Sequence, residues 1–362
     1  MDKQFEALFT YLTIVLVYTV FLFKIEIYPN NFRFALSLGI VYRLLPCIII
    51  SATFSNDIVQ YGYLGNKILS GQIPYKDFPA PYPPLSLYIS VPFLIIGDLR
   101  LLKLFFVLCD LAIIFLLCRM LKSQNISVEK IKMLSLILLF FPPLLLEFSV
   151  SGHNDSFTLL LLIASLALLH DKQTISASFL GLSICSKIFP LATVPFLLKQ
   201  QWAKNKKTAS HFLLTLASSL ALISTPFILL SPNAFFGMLF GATRYTIPYG
   251  FFQMLMFKLL NGSSDSLIMS VLIVSSAIST IIFLSIFIYS HLRDWSLTKS
   301  LSIIFMLLPF LLPQFQPWYL LWALPFVILH ASENRKMIVV YLVLLSVFHF
   351  LSYLLTIYNP LV

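Results

Sequence analysis

Charge is scarce in this chain. Of its 362 residues only 10% are Asp, Glu, Lys or Arg, where soluble domains carry roughly a quarter. That shortage excludes a water-soluble enzyme, and it equally excludes a disordered chain, which needs charge to stay solvated. Cysteine is sparse too. Cys47, Cys109, Cys118 and Cys185 each lie inside an apolar run, with no CxxC spacing and no His in a zinc pattern. They read as small packing residues, so a disulfide scaffold and a cysteine-based metal site are set aside. There is no repeat of fixed period, no low-complexity tract and no soluble domain. Long runs such as Leu267–Ser290 lack the apolar–polar alternation of an outer-membrane barrel.

What is present is apolar: 59% of residues are hydrophobic and 15% aromatic. The runs approach the roughly 20 residues that cross a bilayer as a helix. The expected fold class is an all-α polytopic membrane protein, one membrane domain over residues 1–362. The net charge, 24 − 14 = +10, sits in short clusters between apolar runs. Examples are Arg119, Lys122, Lys130 and Lys132, and Lys199, Lys204, Lys206 and Lys207. Such clusters mark cytoplasmic turns by the positive-inside rule and are no nucleic-acid footprint.

Walking the chain with that rule gives about 12 crossings. Ala7–Phe23 is read as a retained span and Phe34–Phe54 as the return. Residues 55–84 form the first extracytoplasmic loop, followed by a short Pro-containing helix at Tyr82–Gly97. Leu101–Cys118 and Met133–Val150 cross next, which puts Gly152–Ser156 on the side of the first loop. Phe157–His170 returns. Thr174–Leu198 reads as two short helices meeting near Lys187, with Pro190 marking the break. His211–Leu230 leads to a second extracytoplasmic loop, 231–264. Ser266–Ser290, Leu301–Pro313, Trp318–His330 and Met337–Ile357 complete the bundle.

Ionisable groups at bilayer depth are costly and therefore informative. Here they are Arg43, Asp110, Glu147 and Lys187, with Asp155 near a span end. Arg43 can pair structurally with Asp110 or with Glu147. Lys187 stands at the helix break, where an ammonium can bind phosphate. Asp57 opens the first loop, and Ser55-Asn56-Asp57 can equally serve as a helix cap. After it, Ile58, Tyr61, Leu64, Ile68 and Leu69 share one face of a helix of about four turns that can lie in the interface. Gly71 ends that helix. The prolines of 74–84 then make the loop rigid, a plausible wall for a binding site.

Asp57, its helix, Ser70-Gly-x-x-Pro-Tyr75-x-Asp77-Phe and Tyr82-Pro-Pro-Leu together resemble the first lumenal loop of the C-superfamily glycosyltransferases. The resemblance is to the polyprenyl-phosphate-mannose-dependent branch, which includes the GPI mannosyltransferases. Four later segments agree in order: Lys103–Asp110, Ser151–Ser156, Gly181–Pro190 and Gln316–Trp322. The chain departs from that branch at Asn56-Asp57, where an Asp-x-Asp is found in the GPI enzymes, and at Ser-Gly-His, where the branch has Arg-Gly.

The resemblance implies transfer of a hexose, mannose first, from a polyprenyl-phosphate sugar to a glycolipid or glycan acceptor outside the cytoplasm. Such an inverting displacement needs one carboxylate base, cations for the departing phosphate and a greasy groove. Asp57 is the expected base. Lys187 and Arg244 are the expected phosphate-binding cations. His153, Asn154 and Asp155, with Tyr75, Asp77, Tyr82, Gln316, Trp318 and Tyr319, are expected to bind sugar or acceptor. Each has a plainer reading: Asp155 a helix cap, Arg244 a loop charge, and the Gln316–Tyr319 stretch an aromatic belt. No metal ligand set and no cofactor is required by the sequence; a divalent metal stays open. The expected partners are the lipid-phosphate donor, the acceptor and membrane lipids, in a plasma or ER membrane, and no nucleic acid. The competing class is a multi-spanning transporter or flippase, which also carries buried charges and broken helices.

Overall fold

The computed structural model describes Tyr18 and residues 31–51, 56–239, 265–312, 315–332 and 334–358. The expected span Ala7–Phe23, apart from Tyr18, and most of the second loop, including Arg244, lie outside them. Every named element is helical: α1 (Phe32–Ile49), α2 (Asn56–Leu69), α3 (Pro84–Tyr88), α4 (Val91–Ile96), α5 (Arg100–Ser123), α6 (Val128–Leu139), α7 (Asp155–Leu168), α8 (Gln173–Ser186), α9 (Val194–Lys204), α10 (Lys206–Leu230), α11 (Pro232–Leu239), α12 (Asp265–Leu292), α13 (Leu297–Leu311), α14 (Leu324–His330) and α15 (Arg335–Tyr358). A π-helical segment, Leu145–Val150, and two 3-10 segments, Phe189–Thr193 and Pro317–Ala323, interrupt the series.

Among the described residues four helices are long and apolar enough to cross a membrane, or five if the bent pair Val128–Leu139 and Pro142–Val150 counts as one span. The remaining apolar helices are of 10–17 residues in their apolar parts. Pro142 and Pro143 interrupt the expected Met133–Val150 span, and the two halves bend by 49°. Pro190 sits in the 3-10 turn after Lys187, whose backbone is extended (φ −146°, ψ 154°). The expected break at Lys187 is therefore present.

The chain divides into two compact units. One comprises Met1–Gly62, Pro92–Ile163 and Ala331–Val362; the other comprises Tyr63–Val91 and Ala164–His330. In the first unit α1 buries Ala35, Gly39, Arg43 and Cys47, one residue per turn. Gly39 lets α1 approach α6: a Cβ there would meet Leu139 and Phe140 side chains at 3.1–3.2 Å. The opposite face of α1 exposes Phe34, Leu38, Val41, Leu45 and Ile48. Apolar outside and polar inside is the arrangement of a helix solvated by lipid. Arg43 pairs with Asp110 of α5, both buried, which decides between the two partners expected for it.

In the second unit α8 lies close on α10, with a Cβ on Gly181 only 2.6 Å from Ser219 Cβ. Ser86 of α3 donates to the Ser186 carbonyl at 2.6 Å, satisfying one of the carbonyls orphaned where α8 ends. Asn205 caps α10 through Thr208 N–H at 2.7 Å, and Ser296 caps α13 through Lys299 N–H at 3.3 Å. The Asn205 cap stands in the Lys199–Lys207 turn expected on the cytoplasmic side.

Removing one member of a buried ion pair strands the other charge. Arg43→Ala is therefore expected to cost about 3–5 kcal/mol, while Arg43→Leu with Asp110→Leu recovers most of it. Thermal unfolding in detergent compares the two; equal loss in both would show that the pair itself is not what matters.

Candidate active site

The first unit gathers Asp57, Glu147, His153 and His349 into one row. Asp57 is the second residue of α2, where a carboxylate complements the helix N-terminus. His153 follows the π-helical segment. That segment arises where Pro142 and Pro143 have disturbed the α register, and its backbone closes with Ser151 N–H on the Leu146 carbonyl at 2.8 Å and His153 N–H on the Glu147 carbonyl at 3.0 Å. Gly152 makes the turn between them at φ +72°. A Cβ on Gly152 would lie 2.7 Å from Ile58 Cδ1 and 3.0 Å from Lys103 Cγ, so glycine is required by both conformation and space.

Within this clasp His153 Nδ1 is 2.6 Å from Asp57 Oδ2, and His153 Nε2 is 2.9 Å from Glu147 Oε2. The other Glu147 oxygen, Oε1, bonds to His349 Nε2 of α15. Glu147 and His349 are fully buried, whereas the Asp57 side chain keeps 25% of its surface exposed. Burial works against a charged His153 ring. The Asp57 carboxylate first, and the Glu147 carboxylate with it, outweigh burial and hold the imidazole's pKa up at about 10. The side chains form a row, not a shell: no three His, Cys, Asp or Glu among the described residues group as metal ligands would.

Asn154 and Asp155 are both buried beside this row. Asp155 begins α7, and the next residue, Ser156, donates to the Phe106 carbonyl at 2.8 Å, tying α7 to α5. Lys103 is buried as well. Its ammonium bonds to the Ile50 carbonyl at 3.5 Å, at the C-terminal end of α1 where a cation is favoured.

The other expected site residues lie in the second unit. Tyr75, in left-handed backbone (φ 66°), donates its hydroxyl to the Tyr82 carbonyl at 2.5 Å and packs edge-on against Phe227 and Phe235. Asp77 Oδ2 accepts from Ile73 N–H at 2.7 Å. These contacts hold the Pro-rich loop in shape. Phe189, just past Lys187, stacks on Trp322 at 4.0 Å, and Trp322 on Tyr319 at 4.1 Å. The Lys187 break is thus joined to the Gln316–Trp322 stretch, where Trp318 meets Tyr319 edge-on. Arg244 lies outside the described residues.

Sequence reasoning marked Glu147 as a buried acid but gave it no link to the site, and it passed over His349. A histidine in the middle of an apolar run was the available signal.

A bundle of lipid-facing helices with a carboxylate at a loop–helix junction fits a membrane transferase. The profile of glycosyltransferase family 87 matches residues 80–313, more than half of the chain. The chain belongs to that family. It is also similar to three proteins named GPI mannosyltransferase 1. The one from Kluyveromyces lactis is 31% identical over 131 residues, 36% of this chain and 31% of that protein. That from Dictyostelium discoideum is 29% identical over 137 residues, 37% and 31%. That from Debaryomyces hansenii is 30% identical over 147 residues, 38% and 35%. The match thus spans about a third of the length of each relative. Glu147 and His153 fall inside the family match, while Asp57 and His349 lie outside it.

Two outcomes follow from this geometry. Gly152→Ala is expected to cost about 1–3 kcal/mol and to part His153 from Asp57, read as a lower unfolding temperature together with reduced activity. The second concerns pH. Because the His153 pKa is raised, the stabilisation from its charged ring is complete below about 6.5 and is lost as pH rises through about 10. Unfolding temperature in detergent should fall across the alkaline limb, and His153→Asn should flatten that fall. A variant with the wild-type slope would contradict the charged ring.

Proposed function

We propose that this protein transfers a hexose, mannose in the first instance, from a polyprenyl-phosphate sugar to a lipid-linked or surface glycan acceptor. The reaction runs on the extracytoplasmic face and inverts the anomeric centre. Family membership supports sugar transfer, and the likeness to GPI mannosyltransferase 1 supports mannose. The observation that carries the site assignment is the part-exposed Asp57 carboxylate held by His153 at the first loop.

Asp57 is the general base. The acceptor hydroxyl gives its proton to the carboxylate as its oxygen forms the new bond to the anomeric carbon. The bond from that carbon to the phosphate oxygen breaks, and the electron pair leaves with the phosphate. No second acid is needed, because a phosphate leaves without protonation. Lys187 and Arg244 are proposed to stabilise the charge that develops on it. The Asp155 segment, the Tyr75–Tyr82 loop and the Gln316–Tyr319 stretch are proposed to bind sugar and acceptor. In this reading the shorter apolar helices are further crossings, bringing the total to about 12, and α2 lies in the interface with its Ile58, Tyr61 and Leu64 face inward; these three are buried, while Leu69 is exposed.

The test is transfer of labelled mannose from polyprenyl-phosphate-mannose in membranes carrying wild type or Asp57→Asn. Asparagine keeps the shape and removes the base, so the rate is expected to fall by about 10² or more. Undiminished transfer in the variant would move the base elsewhere. A wild type that moves no polyprenyl-phosphate sugar would overturn the donor class and favour transport.

A further inference from the structure

The row of short contacts that begins at Asp57, two hydrogen bonds with an ion pair between them, runs on past His153 into the interior and ends on α15, nearly 300 residues away in sequence (349 − 57 = 292). A base of this kind must not spend a proton on its own neighbour. Asp57 can take the hydroxyl proton only while His153 Nδ1 carries hydrogen and donates it. The reverse arrangement, a protonated Asp57 donating to a bare Nδ1, has the same heavy-atom positions and no basicity.

Which arrangement holds is decided on the far side of the ring. His153 Nε2 faces Glu147 Oε2, and Glu147 Oε1 faces His349 Nε2. With the His349 N–H on Oε1 and the charged His153 ring 2.9 Å from Oε2, Glu147 stays a carboxylate. Facing a carboxylate, His153 Nε2 must carry hydrogen. Facing a second carboxylate at Asp57, Nδ1 must carry one too. The row then has a single proton inventory: both acids ionised, and a hydrogen on each ring nitrogen that faces one of them. Without the His349 N–H other inventories open. Glu147 can hold a proton and give it to Nε2, or Nε2 can keep the only ring hydrogen and leave Asp57 protonated.

We propose that His349 is a positioning residue for transfer, acting through Glu147 and His153 to keep Asp57 in its proton-accepting form. The proposal rests on Asp57 being the base. The neighbouring elements bring other charged and titratable groups, among them Asp155, buried at the start of α7. Arg43 of α1 and Asp110 of α5 pair with each other. Cys47 donates to the Ser149 carbonyl at 3.5 Å. Lys103 bonds to the Ile50 carbonyl. On α15 itself, Tyr341 is a buried phenol.

The experiment compares wild type, His349→Leu and His349→Gln as full-length protein in nanodiscs; the Gln variant restores an N–H toward Glu147. With polyprenyl-phosphate-mannose as donor, His349→Leu should lower kcat about tenfold or more, leave the donor KM within about twofold, and move the acid limb of the pH–rate profile upward by about one pH unit. His349→Gln should restore most of the rate and the acid limb. In parallel, 15N-histidine NMR reads the His153 ring, identified by the signal lost in His153→Asn. Its imidazolium signature should persist at pH of about 8 in wild type and Gln, and give way to neutral imidazole in Leu. A folded His349→Leu with an unmoved acid limb and a still-charged His153 would overturn the proposal, as would Gln behaving like Leu. If wild type transfers no sugar, the reading of function fails on the kinetic arm, and the NMR arm alone decides whether His349 governs His153.

Discussion

The histidine held between two carboxylates is the interaction on which this structure turns. Each of these charges would be costly in an apolar interior by itself. Placed as acid, imidazole, acid and imidazole, each answers its neighbour, and the row reaches from a part-exposed loop to a fully buried helix. Its ends belong to α2 and α15, so the segments that flank the family-matched region meet in the first unit through this row. The rest of the local architecture serves that geometry. The prolines at 142 and 143 bend the chain, the π-helical segment aims Glu147, and Gly152 lets His153 fold back onto it.

A second buried pair, Arg43 with Asp110, performs a different task. It joins α1 to α5 within the same unit and leaves the row to itself. Keeping this ion pair apart from the row matters for electrostatics. Had Arg43 met Glu147, a fixed cation would have replaced the imidazoles as its partner, and an arginine cannot pass between charged and neutral states as an imidazole does. In the second unit the polar groups play supporting parts. Tyr75 and Asp77 spend their hydrogen bonds on the loop that contains them, and the Phe189–Trp322–Tyr319 stack braces the break at Lys187.

Much of this was legible along the chain. The shortage of charge, the length of the apolar runs and the basic turns define an all-helical membrane protein. Breaks at Lys187 and after Gly71 were readable because Pro and Gly act locally, through φ and a missing N–H. The amphipathic face of α2 was readable through Leu64 for the same reason, since helical period is a local property. Helix lengths were not legible to the same degree. Met133–Val150 reads as one span, but its prolines make it two pieces at an angle. Of the candidate site, Asp57 was marked by its place at the opening of the first loop and His153 together with Asn154 and Asp155 through the order of motifs, never the two as a pair.

The amino-acid sequence by itself determined the solvent, the helical class and which residues are unusual, because hydropathy, period and turn chemistry are written in neighbouring residues. Only the tertiary structure decided who meets whom. Arg43 had two acids within reach of reasoning and one in fact. Glu147 was a buried charge with Arg43 as its one expected partner, and in the fold His153 and His349 close on it from 6 residues (153 − 147) and 202 residues (349 − 147) away. Hydrogen bonds act over about 3 Å, and nothing in a linear order states which distant groups will be brought that close.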